Sequence, residues 1–189
     1  VREVVAPGAA KNAEQQKIAD IYQSFMNETA LEEKALSPLQ AELADIAALA
    51  DHEALMDYWA QAPARGQIAP FRFGVSQDQR QSDQYITTLF QSGLGLPDRD
   101  YYLSNEGRFA EIRELYLTHI SELLEMAQIE DAAAAAQRIL DAETRLAGIQ
   151  WTRIQNRDRT ATYNRMSPQE LATLAPGVDW VRYLGTSAL

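Results

Sequence analysis

A chain of 189 residues with 46% hydrophobic side chains, 9 glycines and 7 prolines has the make-up of a folded globular domain and not of a disordered or fibrous one. Its 17 Lys and Arg against 27 Asp and Glu leave a net charge of −10 with no basic run to track a phosphate backbone, which speaks against nucleic acid and anionic membrane as partners. The lack of cysteine excludes disulfides, thiolate metal sites and thiol nucleophiles, and no apolar stretch reaches the length of a membrane span.

Residues 1–10, with Pro7 and Gly8, read as an extended lead-in, and Val1 in place of an initiator Met points to a processed or cloned piece. Ile18, Ile21, Tyr22, Phe25 and Met26 then recur at three- and four-residue steps, which predicts one helix from Asn12 to Lys34 with an apolar stripe that needs a partner. Ser37-Pro38 is a start signal: a serine oxygen can accept from free first-turn amides, and proline has no amide to leave unpaired. The helix it starts is expected to turn Leu39, Leu43, Ile46 and Ala47 inward. Asp51 is placed to cap a third, short helix carrying Leu55, Met56, Tyr58 and Trp59, before Pro63 to Pro70 break the pattern.

Phe71, Phe73 and Val75 alternate with Arg72, Gly74 and Ser76, and Tyr85 to Phe90 is β-branched and aromatic, which predicts a single hairpin. The link from Gln77 to Asp83 is long for a tight turn, so longer or bulged strands are expected. After Gly93 to Pro97, two long helical patterns follow, one through Phe109, Ile112, Leu115, Tyr116, Ile120, Leu123 and Leu124, the other through Ile139, Leu140, Glu143, Leu146 and Ala147. The alanine run at Ala132 to Ala136 favours helix and permits close packing. Ser167-Pro168-Gln169-Glu170 has the full capping-box pattern, Pro176-Gly177 stops that helix, and Asp179 restarts a turn through Trp180 and Tyr183. No stop signal precedes Leu189, so the end is expected to be a cut. The fold class that results is mainly α, a multi-helical bundle-like domain with one small β-hairpin.

Chemistry is hard to find in this chain. His52-Glu53-Ala54-Leu55-Met56 resembles the opening of an H-E-x-x-H zinc helix, which works because histidines four residues apart present two nitrogens to one metal. Met56 stands where the second histidine would be, and it fits the apolar face of its helix. His119 lies inside a long helical pattern and makes no ligand set with His52. Glu32-Glu33 and Asp98/Asp100 read as solvated or structural, and Gly93-Leu94-Gly95 leads into Pro97 and does not open a helix on its glycines. Arg157-Asp158-Arg159 with Thr160, Thr162, Tyr163 and Asn164 could bind a ligand, but a structural role is preferred: satisfying the last carbonyls of the preceding helix and fixing the next turn. No residue is assigned as catalytic, cofactor-binding or metal-ligating.

Leu94-Gly95-Leu96-Pro97-Asp98-Arg99-Asp100-Tyr101-Tyr102 resembles the LGLPxRDYY signature in the N-terminal domain of neprilysin-family zinc peptidases. Other blocks fall in that family's order: Tyr22 to Leu39 with Asn27-Glu28, the strand from Phe71 to Asp78, Glu143 to Ala147, Arg157-Asp158, Tyr163-Asn164-Arg165-Met166 and Trp180. The lack of cysteine is more similar to bacterial, oligopeptidase O-like members than to disulfide-bonded animal ectoenzymes.

The resemblance implies that residues 1–189 are part of a helical cover domain of a two-lobed metallopeptidase whose catalytic zinc lobe lies outside the chain. The cover would enclose a chamber that admits peptides and excludes folded proteins. The family's zinc ligands and substrate-holding asparagine segment have no counterpart here and are expected beyond Leu189; a pocket arginine is expected before Val1. Zinc would therefore belong to the parent enzyme and not to this chain. Its implied partners are the C-terminal catalytic lobe of the same polypeptide and peptide substrates, with self-association of the piece through uncovered apolar surface, in the periplasm or cell envelope of a bacterium. An alternative is a stand-alone helical binding or scaffold module, and a weaker one is activity of the piece itself through His52 and acidic neighbours.

Overall fold

The structure is a computed structural model that describes residues 5, 6, 8 and 12–186. The lead-in expected over residues 1–10 falls largely outside these, as does the end at Leu189. The chain divides into two compact units, Val1–Ala48 and Leu49–Leu189.

In the first unit the single helix expected from Asn12 to Lys34 is two. Helix α1 (Ala13–Phe25) is capped by Asn12, whose Oδ1 accepts from Gln15 N at 2.9 Å. It stops at Met26 because Asn27 offers its own side-chain oxygen to Ala30 N at 3.1 Å and so starts helix α2 (Glu28–Lys34). Ser37 is not the cap it promised to be. Residues Ser37–Leu39 form a 3₁₀ turn with no side-chain capping bond, and helix α3 (Gln40–Ala47) follows. Nor do Leu39 and Ile46 turn inward, since both are exposed. In α1 the only buried residue is Ala19, so the stripe through Ile21 and Phe25 stands open, with Phe25 78% exposed.

The second unit opens as expected: Asp51 Oδ1 accepts from Ala54 N at 2.8 Å and caps helix α4 (His52–Gln61). Strands β1 (Phe71–Gln77) and β2 (Tyr85–Gln91) pair antiparallel from Phe71↔Gln91 to Gln77↔Tyr85 in unbroken register. There is no bulge. The long turn is held instead by buried Asp78, whose Oδ1 accepts from Arg80 N at 2.8 Å and Gln81 N at 3.2 Å while its N–H donates to Gln84 O at 2.9 Å.

Helices α5 (Asp100–Leu103), α6 (Gly107–Met126) and α7 (Ala132–Ile149) come next. Helix α6 ends in a Schellman closure, Ile129 N to Leu124 O at 3.0 Å and Gln128 N to Glu125 O at 2.9 Å, with Gln128 at φ 59° where glycine is usual. The alanine run does what its small side chains allow: Ala132, Ala135 and Ala136 are buried. Helix α8 (Pro168–Leu174) carries the capping box, Ser167 Oγ accepting from Glu170 N at 3.2 Å and Glu170 Oε2 from Ser167 N at 2.7 Å. Helix α9 (Trp180–Thr186) closes the unit.

Two cores organise these elements. In the first, Met56 and Ala60 of α4 meet Trp180 and Tyr183 of α9 over Phe71, Phe73 and Leu89 of the hairpin, with the Phe71 and Tyr183 ring centroids 5.2 Å apart. In the second, Tyr102 packs on Leu140 and Ala147 beneath Leu94 and Leu96. Gly93 joins the hairpin to this second core at φ 92°, where a Cβ would sit 2.6 Å from Pro70 Cα. The architecture is mainly α with one small antiparallel hairpin, as the periodicities predict.

Candidate functional site

Three sets of polar residues need an account, and the first is the Leu94 to Tyr102 segment. Glu143 of α7 sits beneath it and accepts from three donors: Tyr102 OH at 2.8 Å, Tyr116 OH at 3.2 Å and Gly95 N at 3.2 Å. Tyr102 OH in turn accepts from Leu96 N at 2.8 Å, and Arg99 Nε donates to Ala147 O at 3.2 Å in the last turn of α7. A Cβ on Gly95 would run into the Tyr116 hydroxyl, so glycine is what lets the loop amide reach the carboxylate. The network ties loop to helix and uses up its own polar groups, which is a scaffold and not an acid–base pair.

Its pH signature follows from burial. Burial pushes the Tyr102 phenol far above its ordinary 10.0, and burial with the Glu143 carboxylate alongside pushes Tyr116 up to about 12. Both groups hold their proton more tightly when folded, so their contribution is complete below pH 10.0 and is lost as pH rises from there through the folded values. An alkaline unfolding series should fall from about pH 10 upward, and the Tyr102→Phe/Tyr116→Phe double variant, though less stable at pH 7, should show a flatter alkaline limb.

The second set is the histidine and carboxylate decoys. Met56 is buried in the first core, while His52 is exposed at the start of α4. Glu53 pairs with Arg182, whose Nε also donates to Asp57 Oδ1 at 2.9 Å, so these acids tie α9 to α4. His119 is exposed on α6, and Glu32 and Glu33 are exposed on α2. Asp98 Oδ1 accepts from Asp100 N at 2.9 Å, and its other oxygen pairs with Arg153 at 3.4 Å. Among the described residues no group of three or more His, Asp or Glu is arranged to hold a metal ion.

The third set is different in kind. Residues 150–167 carry no α-helix, yet they are clamped to the hairpin at both ends. At one end the Gln91 side chain donates to Trp151 O at 3.0 Å and accepts from Trp151 N at 2.9 Å. At the other, Tyr163 OH donates to the Asp78 carboxylate at 3.0 Å, Arg165 Nη1 donates to Gln81 Oε1 at 2.9 Å, and the Arg80 guanidinium lies 4.2 Å from the Tyr163 ring centroid. Hydrogen bonds, foremost that from Arg80 N, hold the Asp78 carboxyl below its ordinary value.

Between the clamps lies an open cleft of about 780 Å³. Arg72, Arg157 and Arg159 line it with Phe90 and Trp151, and among the described residues no acidic one does. Arg72 is steadied over the Phe90 ring, 5.5 Å from its centroid. Asp158 is occupied elsewhere, accepting from Thr160 N at 2.9 Å and Ala161 N at 3.0 Å.

The expected role for Arg157-Asp158-Arg159 is thus half right. Asp158 fixes the next turn, but it is Arg99 that reaches a last-turn carbonyl of α7, and the two arginines face a cleft. Arg72, read only as the polar face of a strand, joins them. Sequence could have paired Arg72 with Phe90 across the hairpin, but nothing local links it to a loop 85 residues away.

Comparison with known proteins comes out consistently. The family model described as peptidase family M13 matches residues 1–189. Endothelin-converting enzyme 1 of Mus musculus is 31% identical over 196 residues, covering 98% of this chain and 25% of that protein. The Bos taurus enzyme is 29% identical over 195 residues, with 98% and 26% covered. Among solved structures, Mycobacterium tuberculosis zinc metalloprotease ZMP1 in complex with an inhibitor is similar at a TM-score of 0.82 and 31% identity, over 98% of this chain and 28% of that one. Its open state gives a TM-score of 0.79 at 32% identity, over 97% and 28%. The chain spans about a quarter of the length of the curated relatives it matches.

Proposed function

Since the chain belongs to peptidase family M13, the neprilysin family, we propose that residues 1–189 form part of the N-terminal helical domain of a zinc metallopeptidase, covering its catalytic lobe and limiting the size of the peptides admitted. The observation that carries this reading is the likeness to the zinc metalloprotease over 98% of this chain but only 28% of the other, which leaves ample polypeptide for a catalytic lobe. Large apolar side chains left open in each unit support it, Phe25 in the first and Ile149 and Ile154 in the second, at 78%, 80% and 81% exposed.

Zinc would act in the parent, where it polarises a carbonyl or activates a water when bound. The described residues here do not fit it: His52 faces no second ligand, since Met56 is taken by the core, and His119 is exposed on α6 in no metal-holding group among the described residues. Its contribution is shape and exclusion. Work at the reacting centre belongs to residues outside the chain.

The parent is assigned to the periplasm or cell envelope of a bacterium, on the resemblance to cysteine-free bacterial members. No helix among the described residues is long and apolar enough to cross a membrane.

The test is reconstitution. The chain alone is expected to cleave nothing and to self-associate in sedimentation through its open apolar surface. Adding the remainder of the parent polypeptide should restore a monodisperse particle with chelator-sensitive cleavage of a short peptide and no cleavage of a folded protein. A remainder that cuts short peptides and folded proteins equally well, with or without residues 1–189, would falsify the cover role. Tight association without any gain of cleavage would favour the scaffold module.

A further inference from the structure

We infer that the cleft between the hairpin and residues 151–164 binds an extended acidic peptide, its carboxylates between Arg72, Arg157 and Arg159 and its backbone along the open edge of β2. The argument begins with charge. In a chain of net charge −10, three guanidinium groups from two distant segments converge on one cleft with no carboxylate in its lining among the described residues. Four arginines outside it are engaged: Arg182 on Asp57 and Glu53, Arg153 on Asp98, Arg113 on the Tyr101 and Ser104 carbonyls, Arg99 on the Ala147 carbonyl. A guanidinium fork fits a carboxylate with two parallel hydrogen bonds, so an anion is the complement this lining lacks.

The edge says what kind of anion. Ser92 N donates to Pro70 O at 3.0 Å and Asp78 N to Gln84 O at 2.9 Å, which makes the even-numbered residues of β2 the ones bonded to β1. The N–H and C=O of Thr87, Leu89 and Gln91 therefore point away from β1, on a side where β2 has no strand partner among the described residues. Leu89 and Gln91 both line the cleft. An extended backbone can add there as a strand, and the arginines then read alternate side chains. A polyphosphate chain would meet the arginines but leave the edge unused, having no backbone amides to pair with it.

The two clamps keep the slot from collapsing. Gln91 on Trp151 and Asp78 on Tyr163 hold the 151–164 segment at both ends and leave the middle free. The acidic, extended nature of the ligand rests on the cleft alone; that the segment is a free peptide, not part of the parent chain, rests on the peptidase reading.

The experiment is fluorescence anisotropy on the 189-residue chain with a labelled seven-residue peptide of alternating glutamate and threonine. A glutamine-for-glutamate version and one N-methylated at alternate amides serve as comparisons. The expected result is saturable binding of the glutamate peptide that weakens with salt, with about tenfold weaker binding of either comparison peptide. The double variant Arg157→Gln/Arg159→Gln should bind the glutamate peptide about tenfold less tightly than the parent chain. Both positions are exposed, so circular dichroism of the variant should match the parent's, and Arg72→Gln offers a second route to the same loss.

Equal binding of the glutamate and glutamine peptides, no binding at all, or wild-type affinity in the variants would overturn the anion site. Undiminished binding of the N-methylated peptide would overturn the edge. Displacement of the probe when the remainder of the parent is added would overturn the free-peptide source in favour of a segment in cis. None of these arms needs catalysis, so a failed reconstitution and a failed cleft give different results.

Discussion

Alanine at Gly93 should lower the stability of the second unit by about 3 kcal/mol, read as a fall in the urea midpoint at unchanged slope. Two effects add. At φ 92° an L side chain is strained by its own backbone, which costs about 1 kcal/mol or more. The new Cβ would also lie 2.6 Å from Pro70 Cα and 2.9 Å from Leu146 Cδ2, and the first of these is main chain that cannot swing aside. The control is Gly66→Ala: the left-handed φ is similar at 70°, but no atom lies within 4 Å of the added methyl. It should cost only about 1 kcal/mol, the conformational part. Equal losses at the two positions would show that Pro70 and Leu146 yield, and that the hairpin is not locked to the second core at Gly93.

Removing the Glu143 carboxylate by Glu143→Ala should cost a similar amount, about 3 kcal/mol, or roughly 6–12 °C in Tm for a unit of this size. The expense lies in what is left behind: Tyr102 OH, Tyr116 OH and Gly95 N all lose their acceptor at once. Glu143→Gln keeps the shape and one acceptor oxygen, so it should cost about 1 kcal/mol. A double-mutant cycle separates network from bulk. If the acceptor is what matters, Tyr102→Phe should be costly in the wild type and nearly free once Glu143 is alanine. Additive losses would mean that Glu143 acts through its methylenes on α7 and not through its oxygens.

Where the fold could be read from sequence, the signals were those whose physics is local. Asp51 and the Ser167 to Glu170 box announce helix starts with their own side chains, and both bonds form. The hairpin follows from alternation, and the long helices from their period. Where reading failed, a competing local bond or a missing cue was responsible. Asn27 sits inside an unbroken apolar stripe, and its capping bond to Ala30 outweighs the continuity of the helix. Helix α6 ends on Gln128 in a conformation that glycine would have advertised.

The cleft was the least legible feature. Its lining brings residue 72 to residues 157 and 159 through the bonds of Gln91 and Asp78 to a loop 60 and 85 residues away. No periodicity reports a contact of that range. The Arg157-Asp158-Arg159 cluster was visible as a candidate, but without Arg72 opposite it the structural reading was the better-founded one. The LGLPDRDYY segment shows the converse: legible as a motif, it is tied by its Leu96 amide and Tyr102 hydroxyl into a part-buried network with Glu143 that no local pattern announces.

The placement of α9 bears on how the second unit is made. Tyr183 OH donates to Trp59 O at 3.3 Å across 124 residues, and Arg182 bonds Asp57 across 125. Met56, Phe71 and Phe73 therefore leave the ribosome long before Trp180 and Tyr183 arrive to cover them. At ordinary elongation rates that interval is on the order of ten seconds, far longer than hairpin formation or collapse. During it the nascent chain presents an apolar face with nothing yet to close it, the kind of surface a chaperone holds. Contacts of such high sequence separation also slow folding in free solution. Synthesis order thus makes α9 the latch of its unit, and the step at which the growing chain ceases to be sticky.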